Sequence, residues 1–191
     1  MSAHPDADVA RRVRALEGLL EDRGVVGGQQ LDATIDGYLA AAQPRNGARL
    51  IARAWVDDDF RRRLLEDGTA VVREQGHLME TPVFRVVENT EDVHNVVVCT
   101  LCSCYPIALL GPSPSWYRNE AYRSRVVREP RGVLAEFGCE LDEDVEIRVW
   151  DASAETRYLV LPRRPEDTEG WSEDELAELV TRRGMIGTAA L

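Results

Sequence analysis

Three of this chain's four cysteines fall within six residues, in the run V-C-T-L-C-S-C-Y-P at 98–106. Cys99, Cys102 and Cys104 are too crowded to serve an ordinary core. In Cys102-Ser103-Cys104, a metal that took the Cys104 sulfur and its backbone nitrogen would close a small chelate ring. The Ser103 and Cys104 nitrogens close another, and the Cys102 sulfur with the Ser103 nitrogen a third. One tripeptide thus offers a near-planar set of sulfurs and nitrogens, a geometry that suits transition metals other than zinc. Cys99 can curl beneath as an axial sulfur, leaving one position open for chemistry. Backbone nitrogens bind this way only after losing their proton. Neither Ser103 nor Cys104 is a proline, so both have one to lose.

Duller readings compete. A structural zinc site wants four protein ligands, commonly in two C-x-x-C pairs, and the second pair is missing. His94 or Cys139 would have to complete the set from a non-standard spacing. An iron–sulfur cluster with Cys139 as fourth ligand departs from the usual ferredoxin patterns. A redox C-x-x-C prefers an immediate helix N-terminus, which Pro106 discourages. His94, five residues before Cys99, lies on the opposite strand face from it.

The 191 residues carry a net charge of −11, with 44% hydrophobic and 30% charged residues. That balance is ordinary for a globular protein and argues against a nucleic-acid binder, which presents a basic surface. All 23 basic residues are arginine. No apolar run approaches the ~18 residues of a membrane span. The N-terminus lacks a signal-peptide pattern. A cytoplasmic protein is expected, where clustered thiols indicate metal or redox chemistry.

The elements that would position the cysteines follow from pattern. Val9, Val13, Leu16 and Leu20 form one stripe of a helix over 6–23, ended by Gly24, Gly27 and Gly28. A second helix is predicted over 29–42. Pro44 to Gly47 break the pattern. More helix follows over 48–75, interrupted near Asp57–Asp59 and Gly68, with Asp57 or Asp58 as a cap. Strands are predicted at 83–89 and 94–98, both β-branched, and at 145–150 and 157–162. The second leads directly into the cysteines. A loop follows over 106–114, then helices over 115–128 and 131–137. A last helix runs from Ser172, in a capping box with Glu175, to Gly184. The fold class is α+β: a helical N-terminal arm over 1–80, then a layered α-β-β-α metal-binding domain over 81–191. The arm either wraps a partner or packs on its own β part.

The cysteine run resembles the metal-binding signature of the nitrile hydratase alpha subunit. The likeness extends through ENTEDVHNVVVCTLCSCYP (88–106), PSWYRNEAYRSRVVREPRGVLAEFG (114–138), VEIRVWDASAETRYLVLP (145–162) and TEGWSEDELAELVTRRGMIG (168–187). It covers roughly residues 45–190. The gamma subunit of thiocyanate hydrolase shares a similar motif. The resemblance implies one non-corrin metal per chain, held by the Cys99, Cys102 and Cys104 sulfurs and the Ser103 and Cys104 backbone nitrogens. Thr100 and Tyr105 go with low-spin cobalt(III) in this family. Cys102 would be oxidised to a sulfinate and Cys104 to a sulfenate. Catalysis, the hydration of a nitrile to an amide, would rest on Cys104, Cys102 and Ser103. It would need a beta subunit of one or two polypeptides, whose arginines hold the oxidised sulfurs, and a metallation activator.

Two departures from the family pattern bear on the substrate. Many relatives carry a bulky run after the position of Tyr105, where this chain has Pro106-Ile107-Ala108-Leu109. The glutamine often found before the first strand is replaced by Glu80-Thr81-Pro82, and Gln75 lies nearby. Among other residues, Trp116 and Tyr117 read as core, interface or substrate contacts. Arg118, Arg123, Arg125 and Arg128 read as solvated or paired, and Cys139 as a buried structural thiol.

Overall fold

The computed structural model describes residues 5–77 and 82–190, with side chains from residue 7. The expected domain boundary at 80–81 and the departure at Glu80-Thr81 lie outside the described residues.

Two helices precede residue 42: α1 (Pro5–Asp22) and α2 (Gly28–Ala41). Gly24 ends α1 with a positive φ of 65°, a conformation glycine adopts without a Cβ penalty. They form a unit of their own, up to Ala41. The stripe read from the sequence is largely uncovered: Val9, Val13 and Leu16 are exposed, as are Ile35 and Leu39 on α2.

The second unit begins at Ala42. It opens with α3 (Pro44–Val56), α4 (Asp58–Glu66) and α5 (Gly68–Glu74). Pro44 starts α3 rather than breaking the pattern, because its fixed φ and missing N–H suit a first helical position. Asp57 caps α4, its carboxylate accepting from the Phe60 N–H at 2.8 Å. Ile51, Ala52 and Leu64 are fully buried. Strands β1 (Val83–Glu88) and β2 (Val93–Val98) follow, then a four-residue α6 (Ile107–Leu110) inside the expected loop.

The helix expected over 115–128 is a 3₁₀ turn at Ser115–Arg118 and then α7 (Glu120–Arg125). The break comes at Asn119, whose extended backbone lets its side chain cap the restart by accepting from the Ala121 N–H at 2.8 Å. After α8 (Pro130–Glu136) come β3 (Glu146–Asp151) and β4 (Thr156–Leu161). Ser172 and Glu175 form the expected capping box of α9 (Glu173–Leu179). The chain then becomes extended at Val180 and Thr181, and Thr181 caps a separate α10 (Arg182–Ile186). The single helix expected over 172–184 is therefore two.

The sheets are both two-stranded and parallel, β1 with β4 and β2 with β3. Val98, the last residue of β2, lies opposite Asp151, the last of β3. Parallel neighbours need a long crossover, and that crossover carries the cysteines, α6, α7 and α8. The cysteine run therefore leaves from the carboxyl end of a parallel pair, where α/β sheets commonly place their ligands. Helices α4 and α5 pack on β1, α10 on β4 and β2, and α8 on β3. The fold is a helical N-terminal region followed by an αβ domain. Among the described residues no helix is long and apolar enough to cross a membrane.

Candidate metal centre

Cys99 and, in part, Cys104 sit against the core, and the residues between them are exposed. Cys99 is fully buried directly after β2, Cys104 is half-buried, and Cys102 and Ser103 are exposed. Leu101 is 89% exposed, an uncommon setting for a leucine. The Cys99–Cys102 and Cys102–Cys104 sulfurs are 3.5 Å and 3.2 Å apart. These separations are far beyond a disulfide bond of about 2.05 Å, and all four cysteines are free.

The spacing can be set beside that of sulfurs on a common metal. With metal–sulfur bonds of about 2.3 Å, 3.5 Å and 3.2 Å subtend angles of about 99° and 88° at a common metal, whereas tetrahedral sulfurs would sit about 3.8 Å apart. Both gaps suit right-angled ligands. Cys99, Cys102 and Cys104 form a group able to hold a metal ion, their sulfurs all within 4.8 Å of one another. Among the described residues neither His94 nor Cys139 joins it. His94 is buried and spends its ring on Gly187 O (2.8 Å) and Asn89 Nδ2 (3.3 Å). Cys139 is buried elsewhere in the core. Among the described residues the zinc and iron–sulfur readings thus lack their fourth side chain.

The main chain also faces the sulfurs. The Cys102 N–H donates to the Cys99 sulfur at 3.3 Å. Hydrogen bonds from the Cys104 thiol, from Cys99 and from the Ser103 and Cys104 N–H groups bring the Cys102 thiol down to about 7. Burial, then the neighbouring Cys102 sulfur, pushes Cys104 up to about 12.

Residues far away in sequence hold the run in place. Asp151, at the end of β3, accepts from the Thr100 N–H at 2.9 Å and from its hydroxyl at 2.5 Å. The Tyr117 hydroxyl donates to Cys104 O at 3.0 Å, and Arg123 Nη1 donates to Cys102 O at 3.0 Å. Tyr122 donates to Val97 O at 2.8 Å, just below Cys99. Trp116 stacks edge-on against Tyr122 and Phe137, and Tyr105 against Tyr117, so this aromatic group is core. A hollow of about 520 Å³, lined by Leu101, Arg123 and Val127 among others, opens beside the run. Another, of about 470 Å³ and lined by Asn89, His94 and Arg164 among others, includes none of the cysteines.

A family profile described as nitrile hydratase, alpha chain, matches residues 7–189. The chain belongs to the nitrile hydratase alpha-chain family. It is 52% identical over 183 residues to the low-molecular weight cobalt-containing nitrile hydratase subunit alpha of Rhodococcus rhodochrous, covering 95% of this chain and 88% of the relative. It is 46% identical over 164 residues to the thiocyanate hydrolase subunit gamma of Thiobacillus thioparus, covering 80% of this chain and 68% of the relative. A double mutant of the Fe-type nitrile hydratase from Comamonas testosteroni Ni1 superposes with a TM-score of 0.90 at 42% identity, covering 98% of this chain and 92% of that one. Nitrile hydratase alpha chains and a thiocyanate hydrolase subunit thus share this fold family.

Asp151, Arg123 and Tyr122 were not singled out as site residues by sequence reasoning. They lie 51, 21 and 25 residues from their partners, and no local pattern marks such contacts.

Proposed function

We propose that this chain is the metal-carrying alpha subunit of a cobalt nitrile hydratase and, with a beta subunit, hydrates a nitrile to its amide. The observation that carries the reading is the close cluster of the Cys99, Cys102 and Cys104 sulfurs in a chain of this family. In this reading the sulfurs of Cys99, Cys102 and Cys104 and the backbone nitrogens of Ser103 and Cys104 hold one non-corrin cobalt(III). When bound, the ion supplies Lewis acidity toward a nitrile or lowers the pKa of a bound water.

The chain's own groups do the remainder. Cys102 and Cys104, oxidised to sulfinate and sulfenate, present their oxygens on the exposed side of the run. The Cys104 sulfenate oxygen serves as nucleophile or as the base that takes a proton from water. Ser103 places its hydroxyl between them as a hydrogen-bond donor. Tyr117 holds the Cys104 carbonyl and so steadies the main chain at that ligand.

Cobalt is supported by the cobalt-containing relative and by Thr100 and Tyr105, since the fold alone is shared with an Fe-type enzyme. The nitrile is supported by the higher identity and fuller coverage of the nitrile hydratase relative than of the thiocyanate hydrolase subunit. The exposed Leu101 and Cys102 suit burial by the beta subunit, whose arginines would hold the oxidised sulfurs. Of the helical N-terminal arm, α1 and α2, with their exposed apolar stripe, embrace that partner. A metallation activator loads the site. The unpaired cysteines are in keeping with a reducing, cytoplasmic setting.

The test is turnover by the complex co-purified with its partner. Conversion of a nitrile to its amide, without hydrolysis of thiocyanate, is the expected result. The opposite preference would assign the chain to the thiocyanate hydrolases.

A further inference from the structure

Two arginines of α7 are employed differently. Arg125 is paired with Glu129 and Glu136, as surface arginines commonly are. Arg123 enters no ion pair among the described residues, and its Nη1 donates to Cys102 O at 3.0 Å. Its Nε is buried and lacks a partner. One edge of the guanidinium has thus given up hydration while the other reaches a main-chain oxygen, an arrangement with a solvation cost.

The oxygen it holds belongs to the peptide that contributes the Ser103 nitrogen. That peptide is trans, so its oxygen and its N–H point in opposite directions. The oxygen faces Arg123, so the N–H faces away from it. Turning the plane would break the Arg123 contact and re-aim the Ser103 nitrogen. A peptide nitrogen that ligates a metal shares its negative charge with its own carbonyl oxygen. A guanidinium on that oxygen meets the charge through a charge-assisted hydrogen bond.

The position of Arg123 is itself set. Tyr122, its neighbour on α7, is tied to Val97 O at 2.8 Å and packed against Trp116 and Phe137. The helix that carries the arginine is thereby fastened to the strand that leads into the cysteines.

We propose that Arg123 is a positioning residue for the metal claw. It holds the Cys102 carbonyl, fixes the plane of the Cys102–Ser103 peptide and so aims the Ser103 nitrogen into the site. This rests on the cobalt reading above and adds a cation from this chain to those a partner would supply.

The experiment compares Arg123→Met, Arg123→Lys and Arg125→Met with the parent complex, each purified with its partner after growth in cobalt. The readouts are the sulfur-to-cobalt absorption band, the rate of cobalt loss to excess EDTA, and the thermal midpoint. The expected result is a shifted band and cobalt loss about 10–100-fold faster in Arg123→Met, the usual scale for groups that orient metal ligands. Its midpoint should stay near the parent's, Arg123→Lys should recover part of the retention, and Arg125→Met should match the parent. An unchanged band and loss rate in Arg123→Met overturns the proposal. So does a fall in midpoint that accounts for the cobalt loss and is shared by the other two variants, which would make the residue merely structural. Absence of cobalt and of the band from the parent complex would sink the cobalt reading itself, and this inference with it.

Discussion

Replacing Tyr122 by Phe removes one oxygen from beneath the cysteine run and leaves the ring in place. The Val98 carbonyl accepts from the Ala152 N–H across the β2–β3 pair. Carbonyls alternate along a strand, so Val97 O points to the open edge, where the Tyr122 hydroxyl meets it at 2.8 Å. Both residues are buried, at 3% and 6% exposure, so water cannot readily replace the lost donor. Burial also raises the phenol pKa well above its ordinary value, and the hydroxyl stays a donor at any working pH. Leaving a buried carbonyl unsatisfied costs about 1–3 kcal/mol. At about 2–4 °C per kcal/mol for a chain of this size, the midpoint should fall by roughly 2–12 °C. The ring contacts with Trp116 and Phe137 survive, so no cavity adds to that figure. Tyr122→Ala, which removes the ring, should lose about 3–5 kcal/mol. Urea titration of both variants with a common slope gives the comparison. Tyr122→Phe within about 0.5 kcal/mol of the parent, the noise level of surface changes, would refute the claim that this hydroxyl secures the strand.

Gly187 caps α10 at a φ of +86°, and a Cβ there would lie 1.9 Å from Asn95 O and 2.8 Å from Val96 Cα. Gly187→Ala should cost more than the ~1–2 kcal/mol of left-handed strain alone, and a denaturation midpoint close to the parent's would contradict the packing. His94 is buried with its pKa below the ordinary 6.5, because desolvation outweighs the Gly187 hydrogen bond. The folded state therefore binds its proton less readily than the unfolded, so this stability is complete above about pH 6.5 and is lost progressively below it. His94→Gln should flatten that decline, the remainder including His77, also lowered by burial; an unaltered pH profile would count against the assignment. Asp151→Ala frees both Thr100 contacts, and cobalt retention against a chelator should fall about 10–100-fold. Equal retention would show that the clamp is dispensable.

What the sequence revealed depended on how local the determinants are. The cysteine cluster was legible because its chemistry lies in one short run, and the structure brings the sulfurs of Cys99, Cys102 and Cys104 together. Strands such as Val93–Val98 announced themselves through β-branched residues, and Ser172 through a capping box. The division of the last helix at Val180 was missed because a threonine cap at 181 within an otherwise continuous pattern is a weak signal beside Gly184. The 3₁₀ turn at Ser115–Arg118 was missed for a like reason, its end being set by Asn119. The parallel pairing was not readable at all, since register is fixed by contacts across the fold. Asp151, Arg123 and Tyr117 depend on that pairing, and their roles appear only once the crossover is closed.

The central claim is that Cys99, Cys102 and Cys104 hold cobalt in a right-angled site with oxidised sulfurs. Metal content and intact peptide mass, on the complex purified after growth with cobalt, test it most directly. One cobalt per chain, with added oxygen on the peptide bearing Cys102 and Cys104, is the predicted result. Zinc in the site, with no added oxygen even after cobalt and an activator are supplied, would contradict it.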